Sequence, residues 1–264
     1  MQRSVSRGLE RRDGDMCYSH LSIDEKSIKK GHHYLSILSD ERTGVVIDVV
    51  SGRTKRSVDD LCTKLSGKQR KAVKTICTDM WDAYIYGANK YFEGAKLCHD
   101  NFHLVGYLNK AVDKVRKREV KIHDELKKSK YLFLKDKMNF TDKQSIAFDA
   151  ISKANYEVSR AWKVKENFRD IAFRQNRLDA LALYSFWRMD AQRANIKEVN
   201  EVVEMFDRHQ NGIVNAIETG STNARAERLN SSIQEIKTIA RGYRNDENFR
   251  TAILFFHGNL DMYP

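Results

Sequence analysis

Three carboxylates, Asp24, Asp79 and Glu227, have positions that suit joint chemistry. Asp24 ends the alternating stretch YSHLSID, which predicts a β-strand, and Asp79 stands at the end of the short apolar stretch AVKTICTDM, which predicts a buried strand. Glu227 lies far downstream in the predicted helix TNARAERLNSSIQEIK. Acids that share a site repel one another unless a hard cation neutralises them, and Mg²⁺ and Mn²⁺ prefer such oxygen ligands. Two such ions would suit an in-line phosphoryl displacement.

The predicted helix holds Glu227 at the edge of its buried face. At 100° per residue, four polar residues share one narrow stripe: Asn223, Glu227, Asn230 and Gln234. The neighbouring stripe is the predicted core face, with Ala226, Leu229, Ile233, Ile236 and Ala240. Arg225 and Arg228 point away, so a partly desolvated Glu227 needs another partner. The alternative interpretation is a helix-start acid favoured by the macrodipole, or an acid paired with a distant arginine.

Strand and helix patterns order the region from His20 to about His99. The runs HYLSILS and GVVIDVV, separated by DERTG, predict a hairpin that follows the first strand. Next come a helix from SVDDLCTKL with a serine cap, the strand before Asp79, the helix WDAYIYGANKYF and the strand GAKLCHD. Strands that alternate with helices imply parallel neighbours, whose carboxyl ends meet at one edge. Neighbouring strand ends lie only ~5 Å apart, so Asp24 and Asp79 can share a site.

From about His103 to Asn215 every segment predicts helix. We therefore expect an extension over 1–19, a sheet part over 20–102, a helical insertion over 103–215 and a C-terminal helical part over 216–264. The predicted fold class is α/β, a ribonuclease-H-like mixed sheet with helices and a large all-helical insertion before the last catalytic helix. The aromatic core of the insertion is expected to contain Trp162, Phe168, Phe173, Phe186 and Trp187.

Composition favours a polyanionic partner. Lys and Arg outnumber Asp and Glu by 47 to 36, which gives a net charge of +11 and an isoelectric point near 9.4. The basic run KVRKREVK offers a face for phosphates. The four cysteines contain no CxxC pair, which favours a reduced setting, and no apolar run predicts a membrane span or signal peptide.

Five stretches, in this order along the chain, resemble the DDE catalytic domain of the ISL-three family of bacterial insertion-sequence transposases. They are SIDEKSIKKGHHYLSILSD, TDMWDAYI, CHDNFHLVGYLNKAVDKVR, TNARAERLNSSIQEIK and ARGYRNDENFRTAILF. The resemblance runs from about Leu21 to about Gly258. It implies a metal-dependent transposase that cuts DNA at the element ends and joins the liberated 3′-hydroxyl to target DNA.

The resemblance assigns the DDE triad to Asp24, Asp79 and Glu227, which would hold Mg²⁺ or Mn²⁺ as two ions. The implied partners are transposon ends and target DNA, bound by a homo-oligomer in the cytoplasm and associated with the nucleoid, with no membrane. Glu25 is expected on the opposite face of its strand, and Asp82 is the main alternative to Asp79.

Further residues have supporting roles in this interpretation. Asp100 and His103 form a family-like D-x-x-H signature that would order the metal site or contact phosphate; the alternative is a capping Asp and a packed His. Asn223 and Asn230 are expected to orient Glu227 or touch the DNA backbone. Near the end of the chain, the candidates for phosphate binding are Arg241, Tyr243, Arg244 and Arg250, which would otherwise cover the core.

The chain departs from the family at its beginning. Full-length relatives resemble a longer protein, with a zinc-binding segment and helix-turn-helix modules before the catalytic domain. Here about 20 residues precede the first predicted strand, and no upstream cysteine cluster is found. We therefore expect the modules that recognise element ends to be absent. The alternative function is a truncated, catalytically silent remnant that still binds DNA.

Overall fold

The structure is a computed structural model that describes residues 1–14, 16–29, 33–135, 137–153, 156–221 and 224–263. The chain forms two compact units. The sheet unit comprises 1–100 and 221–264, and the helical unit comprises 101–220. None of the helices within the described ranges is long and apolar enough to cross a membrane.

A five-stranded mixed sheet organises the sheet unit, in the order β3-β2-β1-β4-β5. The strands are β1 His20–Lys29, β2 His33–Asp40, β3 Val46–Ser51, β4 Thr75–Thr78 and β5 Lys96–His99. The first three pair antiparallel as a meander. β1 and β5 each lie parallel to β4. The predicted α/β class with a ribonuclease-H-like mixed sheet is confirmed.

Both units contain α-helices, and all five strands of the sheet lie in the sheet unit. In chain order they are α1 Gln2–Glu10, α2 Lys55–Cys62, α3 Gly67–Lys71, α4 Asp82–Tyr91, α5 Asn101–Glu119, α6 Lys130–Leu134, α7 Asp142–Lys153, α8 Glu157–Arg169, α9 Arg177–Arg193, α10 Lys197–Arg208, α11 Gln210–Thr219, α12 Ala224–Ile239 and α13 Asp246–His257. The serine cap predicted for α2 is wrong. The helix starts earlier, and extended Thr54 caps it by accepting a hydrogen bond from the Ser57 N–H.

Each face of the sheet carries its own apolar layer, because side chains alternate along a strand. On one face Leu21 and Ile23 of β1 pack with residues of α2 and α4. On the other face Leu35 and Ile37 of β2 pack with Leu229, Ile233 and Phe249 of α12 and α13. Ile37 is the register partner of Asp24, so Asp24 belongs to the face that α12 covers.

The helical unit has an aromatic core. Trp187 of α9 lies 4.9 Å from Phe168 and 5.6 Å from Phe206, measured between ring centroids. A second group joins Phe133, Phe148 and Trp162. The predicted core position of Phe186 is wrong, since its side chain is 67% exposed. Phe186 is one residue, or 100° of helix, from Trp187, and only one of the two can face the core.

Candidate active site

Asp24 lies in the middle of β1, so the predicted strand end at this residue is wrong. The strand continues because the hairpin partner β2 supplies hydrogen bonds for the polar residues that follow, with Asp24 opposite Ile37 and Glu25 opposite Ser36. The parallel pairing with β4, however, stops at Ile23. Asp24 therefore marks the edge of the parallel part of the sheet, where one flank of β1 opens.

Asp79 follows β4 directly, as the sequence predicts. Ile23 pairs with Thr78, so the same register continued by one residue sets Asp79 beside Asp24. Asp79 also begins the turn into α4, where its Oδ1 accepts a hydrogen bond from the Trp81 N–H at 3.0 Å. The turn thereby orients the Asp79 carboxylate at the edge of the sheet.

Helix α12 is fastened to this edge through Asn230. Its Nδ2 donates to Asp24 Oδ2 at 2.7 Å, and the Glu25 N–H donates to Asp24 Oδ1 at the same distance. Asn230 thus orients Asp24, whereas the sequence interpretation had it orient Glu227 or touch DNA. Glu227 is half-buried three residues before Asn230, which places both on the same side of the helix.

Burial along α12 follows the predicted stripes over most of the helix. Ala226, Leu229 and Ile233 are buried, and the two flanking arginines are exposed. Ala240 is exposed because the helix ends at Ile239. The stripe that contains Glu227 and Asn230 therefore borders the core, as expected. Asn223 lies outside the described residues.

Lys26 is a site residue that the sequence interpretation missed. Its Nζ donates to the carbonyl oxygen of Asn230 at 2.9 Å, which adds a second link between β1 and α12. Burial and nearby Lys237 lower the pKa of Lys26, while the Asp24 carboxylate opposes that shift. Strand alternation could have identified Lys26, since residues two apart on a strand share a face and Lys26 follows Asp24 by two.

Tyr84 of α4 reports the charge at this edge. Burial is the main reason that its pKa is raised, and the Glu25, Asp79 and Asp24 carboxylates add to the rise. Its hydroxyl lies 2.8 Å from Ser36 Oγ in a buried hydrogen bond, which opposes the shift. Three carboxylates thus raise the pKa of one phenol, which indicates that negative charge is concentrated at this edge of the sheet.

Glu25 projects to the opposite face from Asp24, as predicted. It pairs with Arg53 Nη1 at 2.8 Å, whereas Asp24 contacts α12. Asp82, the alternative to Asp79, lies in the first turn of α4. An acid there is favoured by the helix dipole, so its position has a structural explanation.

The donor set of Asp24, Asp79 and Glu227 fits Mg²⁺ or Mn²⁺ in chemistry, because all three supply carboxylate oxygens. The continued register also sets Asp79 beside Asp24, and the stripe of α12 that contacts Asp24 contains Glu227. Within the part of the chain that the structure describes, no three His, Cys, Asp or Glu side chains are gathered closely enough to hold a metal ion.

Asp100 follows β5, and its N–H donates to the Thr78 carbonyl at 3.0 Å, which extends the parallel pairing by one residue. The Asp100 side chain is buried, and its charge helps burial to raise the pKa of Cys77. His103 lies in the first turn of α5, in the helical unit, where its ring contacts Phe102 edge-on.

The basic residues after α12 divide into two kinds. Arg241 and Arg244 are exposed, which leaves them accessible to phosphate. Arg250 instead pairs with buried Asp48 at 2.8 Å, and Tyr243 stacks on Phe249. For these two residues the core-covering interpretation is the one that the structure favours.

The five-stranded mixed sheet, with helices packed on both of its faces, agrees with a ribonuclease-H-like transposase domain. The model of the transposase family DDE_Tnp_ISL3 matches residues 21–253, and the chain belongs to this family.

Two named relatives share this likeness. The transposase for insertion sequence element IS1001 of Bordetella parapertussis is 23% identical over 238 residues, which cover 87% of this chain and 59% of the relative. The transposase for insertion sequence element IS1557 of Mycobacterium tuberculosis is 24% identical over 255 residues, which cover 86% of this chain and 57% of the relative. The chain thus spans less than three fifths of the length of these relatives.

Proposed function

We propose that this chain is the catalytic domain of a DNA transposase that cleaves DNA strands at insertion-sequence ends and transfers them to target DNA. Asp24, Asp79 and Glu227 would be the metal ligands, with Mg²⁺ or Mn²⁺ as two ions. When bound, such ions supply charge neutralisation and Lewis-acid assistance to phosphoryl transfer.

The observation that carries the proposal is the hydrogen bond from Asn230 to Asp24. This bond joins α12, which carries Glu227, to β1, which carries Asp24. It lies where the register between β1 and β4, continued by one residue, leads to Asp79. These acids are separated by long stretches of sequence, and the pairing of β1 with β4 and the bond from α12 to β1 support a shared site.

The remaining residues at the edge position the acids. Asn230 holds the Asp24 carboxylate, and the Trp81 N–H holds Asp79. Lys26 ties the backbone of α12 to β1 and places a cation near Asp24, where a phosphate oxygen would gain from it. Positioning and electrostatic stabilisation account for most of catalysis in phosphoryl transfer, so this scaffold suits the reaction.

The partner in this proposal is DNA. The net charge of +11 favours a polyanion, and the exposed Arg241 and Arg244 lie shortly after the helix of Glu227. Two DNA ends must be joined to one target, so we propose that the protein works as a homo-oligomer on DNA.

The test is strand cleavage by the purified chain with Mn²⁺ and nicked or end-bearing DNA. We expect Asp24→Asn, Asp79→Asn and Glu227→Gln each to reduce the cleavage rate at least about 100-fold, because each removes a metal ligand. The matched controls are Glu235→Gln, exposed on the same helix, and Asp82→Asn. Both should cleave at the wild-type rate.

Two outcomes would overturn the proposal. Equal loss in a control and a triad variant, with unchanged melting temperatures, would remove the special role of the three acids. Wild-type protein that binds DNA with a steep salt dependence but never cleaves it would establish the catalytically silent remnant instead.

A further inference from the structure

A stacked cluster lies on the β2 and α4 side of the candidate active site. The Arg53 guanidinium sits over two rings, 4.0 Å from the centroid of Tyr34 and 4.2 Å from that of Trp81. Glu25 fixes the same guanidinium through two hydrogen bonds of 2.8 and 3.2 Å. Arg53 is therefore held by a charge pair and by both rings, and one face of the Trp81 ring is covered by it.

Trp81 is held at three points. Its Nε1 donates to the Arg53 carbonyl oxygen at 2.9 Å, and its backbone N–H donates to Asp79 Oδ1 at 3.0 Å. The guanidinium stack is the third contact. The ring therefore has a fixed orientation before any partner arrives, and the loss of side-chain freedom on binding is small.

The Trp81 indole is much more exposed than the other tryptophan side chains of the protein. The protein has three tryptophans. Trp162 and Trp187 are 7% and 4% exposed in the core of the helical unit, whereas Trp81 is 40% exposed. An aromatic ring that is both exposed and immobilised retains an unfavourable contact with water. Packing within the sheet unit does not explain the fixed orientation of the Trp81 ring, because the ring is oriented without being buried.

We propose that Trp81 is a stacking platform for an unpaired nucleobase of DNA held at the candidate active site. The inference rests on the proposed function for the identity of the ligand. Every base has a flat π-face, so an indole binds an unpaired base with little sequence preference, whereas a base inside a duplex is already stacked on its neighbours. Trp81 stands two residues after Asp79 and donates to its carboxylate, so the stacked base belongs to a nucleotide at the reacting phosphate.

Arg53 and Tyr34 are positioning residues in this proposal. The guanidinium packs over the Tyr34 ring and also over the Trp81 indole, so Tyr34 and Arg53 together fix the position of the indole. Replacing Arg53 by Lys keeps the charge for Glu25 but removes the planar surface that stacks on both rings. We therefore expect Arg53→Lys to weaken base stacking while the ion pair at Glu25 persists.

The first experiment uses tryptophan fluorescence in the absence of divalent cations, so that no cleavage is required. The probes are a blunt DNA duplex and the same duplex with a short unpaired adenine tail. We expect the tailed duplex to quench the emission of Trp81, with a much smaller effect of the blunt duplex. The quenching should vanish in Trp81→Phe, which leaves the two buried tryptophans as the emitters. Equal quenching by both probes, or quenching that persists in Trp81→Phe, would overturn the proposal.

The second experiment separates stacking from a purely structural role of the ring. Trp81→Leu keeps an apolar side chain but has no π-face, whereas Trp81→Phe keeps an aromatic ring. We expect Trp81→Leu to bind the tailed duplex about 10-fold more weakly than wild type, and Trp81→Phe to lose less. Affinity for the blunt duplex should stay unchanged in both. Phe186→Ala, which removes an exposed ring of the helical unit, is the control and should bind both probes like wild type.

The outcomes distinguish this inference from the proposed function. Tail-dependent quenching, together with no cleavage in the separate assay with Mn²⁺, would support the platform and contradict the transposase activity of the chain. Metal-dependent cleavage that is unchanged in Trp81→Leu, with no tail-dependent binding, would support the activity and overturn the platform. Equal weakening of both probes in Trp81→Leu would assign Trp81 a structural role in the Asp79 turn and would also overturn it.

Discussion

The two units of the molecule bury charged groups in different ways. In the helical unit, fully buried Lys165 donates to the Phe133 carbonyl oxygen at 2.8 Å and lies 3.0 Å from Glu166. Glu119 accepts the first two N–H groups of α8, from Glu157 and Val158. These contacts satisfy backbone groups that a helical fold must satisfy anyway, so they serve the fold.

In the sheet unit, Asp24 is 9% exposed and is held by the side-chain amide of Asn230, which comes from another element. No helix end is capped by this contact, and the register leads directly to a second acid, Asp79. A like-charged neighbour makes the arrangement costly for folding. We infer from this difference that the charges of the helical unit stabilise the fold, whereas those at the sheet edge serve the proposed chemistry. Substitutions should therefore separate stability from activity by unit.

The largest effect on stability should come from the core of the helical unit. Trp187→Ala removes a buried ring that packs on Phe168 and Phe206 and whose Nε1 donates to the Val164 carbonyl oxygen. We expect a loss of about 3–5 kcal/mol in the free energy of unfolding, from lost burial and the cavity left behind. Hydrogen exchange of the α8 and α10 amides measures it within that unit.

Its control is the next residue along α9. Phe186→Ala removes an exposed ring and should change the free energy of unfolding by less than about 0.5 kcal/mol. Similar losses in the two variants would contradict the division of α9 into a core face and a solvent face.

A smaller loss should follow from the helix cap of α8. Glu119→Ala leaves two N–H groups of the first turn without their carboxylate, which should cost about 1–2 kcal/mol. Glu119→Gln retains one acceptor oxygen and should cost about half as much. Urea unfolding followed by circular dichroism measures both. A Glu119→Ala variant as stable as wild type would show that this buried charge is not a structural one.

Loss of the hydrogen bond from Asn230 to Asp24 should reduce activity more than stability. Asn230→Ala removes one hydrogen bond to Asp24, worth about 1 kcal/mol, and leaves the acid unoriented. We expect a small drop in melting temperature together with a clear drop in the rate of metal-dependent cleavage. An exposed residue of the same helix supplies the control, since Glu235→Ala should alter neither. If the activity of Asn230→Ala fell only in proportion to its stability, the contrast between the units would be lost.

The smallest effect on stability is expected for the ion pair of Arg188 and Asp207 in the helical unit. The hydrogen bond from Arg188 is the main cause that lowers the pKa of Asp207, and Tyr184 adds to it while burial opposes it. A lowered folded-state pKa gives stability that is present above the unfolded-state pKa of about 3.9 and is lost as the pH falls through the folded-state value.

We therefore expect Asp207→Asn to cost about 0.5 kcal/mol at neutral pH, since the pair is partly solvated, and almost nothing once the carboxyl is protonated. Thermal melts across an acid titration measure the difference. Asp190→Asn, which breaks a more exposed pair with Arg193, is the control and should cost less than Asp207→Asn at neutral pH. A constant difference for Asp207→Asn at every pH would assign the effect to packing.

The sequence was sufficient to predict the sheet elements and the position of Asp79, because short apolar runs and strand alternation depend on local residue order. It was misleading at Asp24. The stretch after Asp24, EKSIKK, is mostly polar and lacks a regular apolar alternation. The strand continues beyond Asp24 because β2 pairs with β1 there. Pairing with a neighbour is a tertiary effect that overrides local pattern.

The candidate site residues could be chosen from the sequence, but the contacts that these residues make could not. Helical periodicity places Glu227 and Asn230 on one stripe, but it gives no information about which group that stripe meets. The bond from Asn230 to Asp24, and the stack of Arg53 on Trp81, join residues far apart in sequence. Such contacts follow from the sheet order and the packing of α12, which a single sequence does not specify.

The most direct test of the central claim, that Asp24, Asp79 and Glu227 form one metal site, is a calorimetric titration of the intact chain with Mn²⁺. We expect saturable binding in the wild type and in Glu235→Gln. We expect strongly weakened binding in Asp24→Asn, Asp79→Asn and Glu227→Gln, each of which should remain folded. Wild-type affinity in the Glu227→Gln variant, or affinity lost equally in Glu235→Gln, would contradict it.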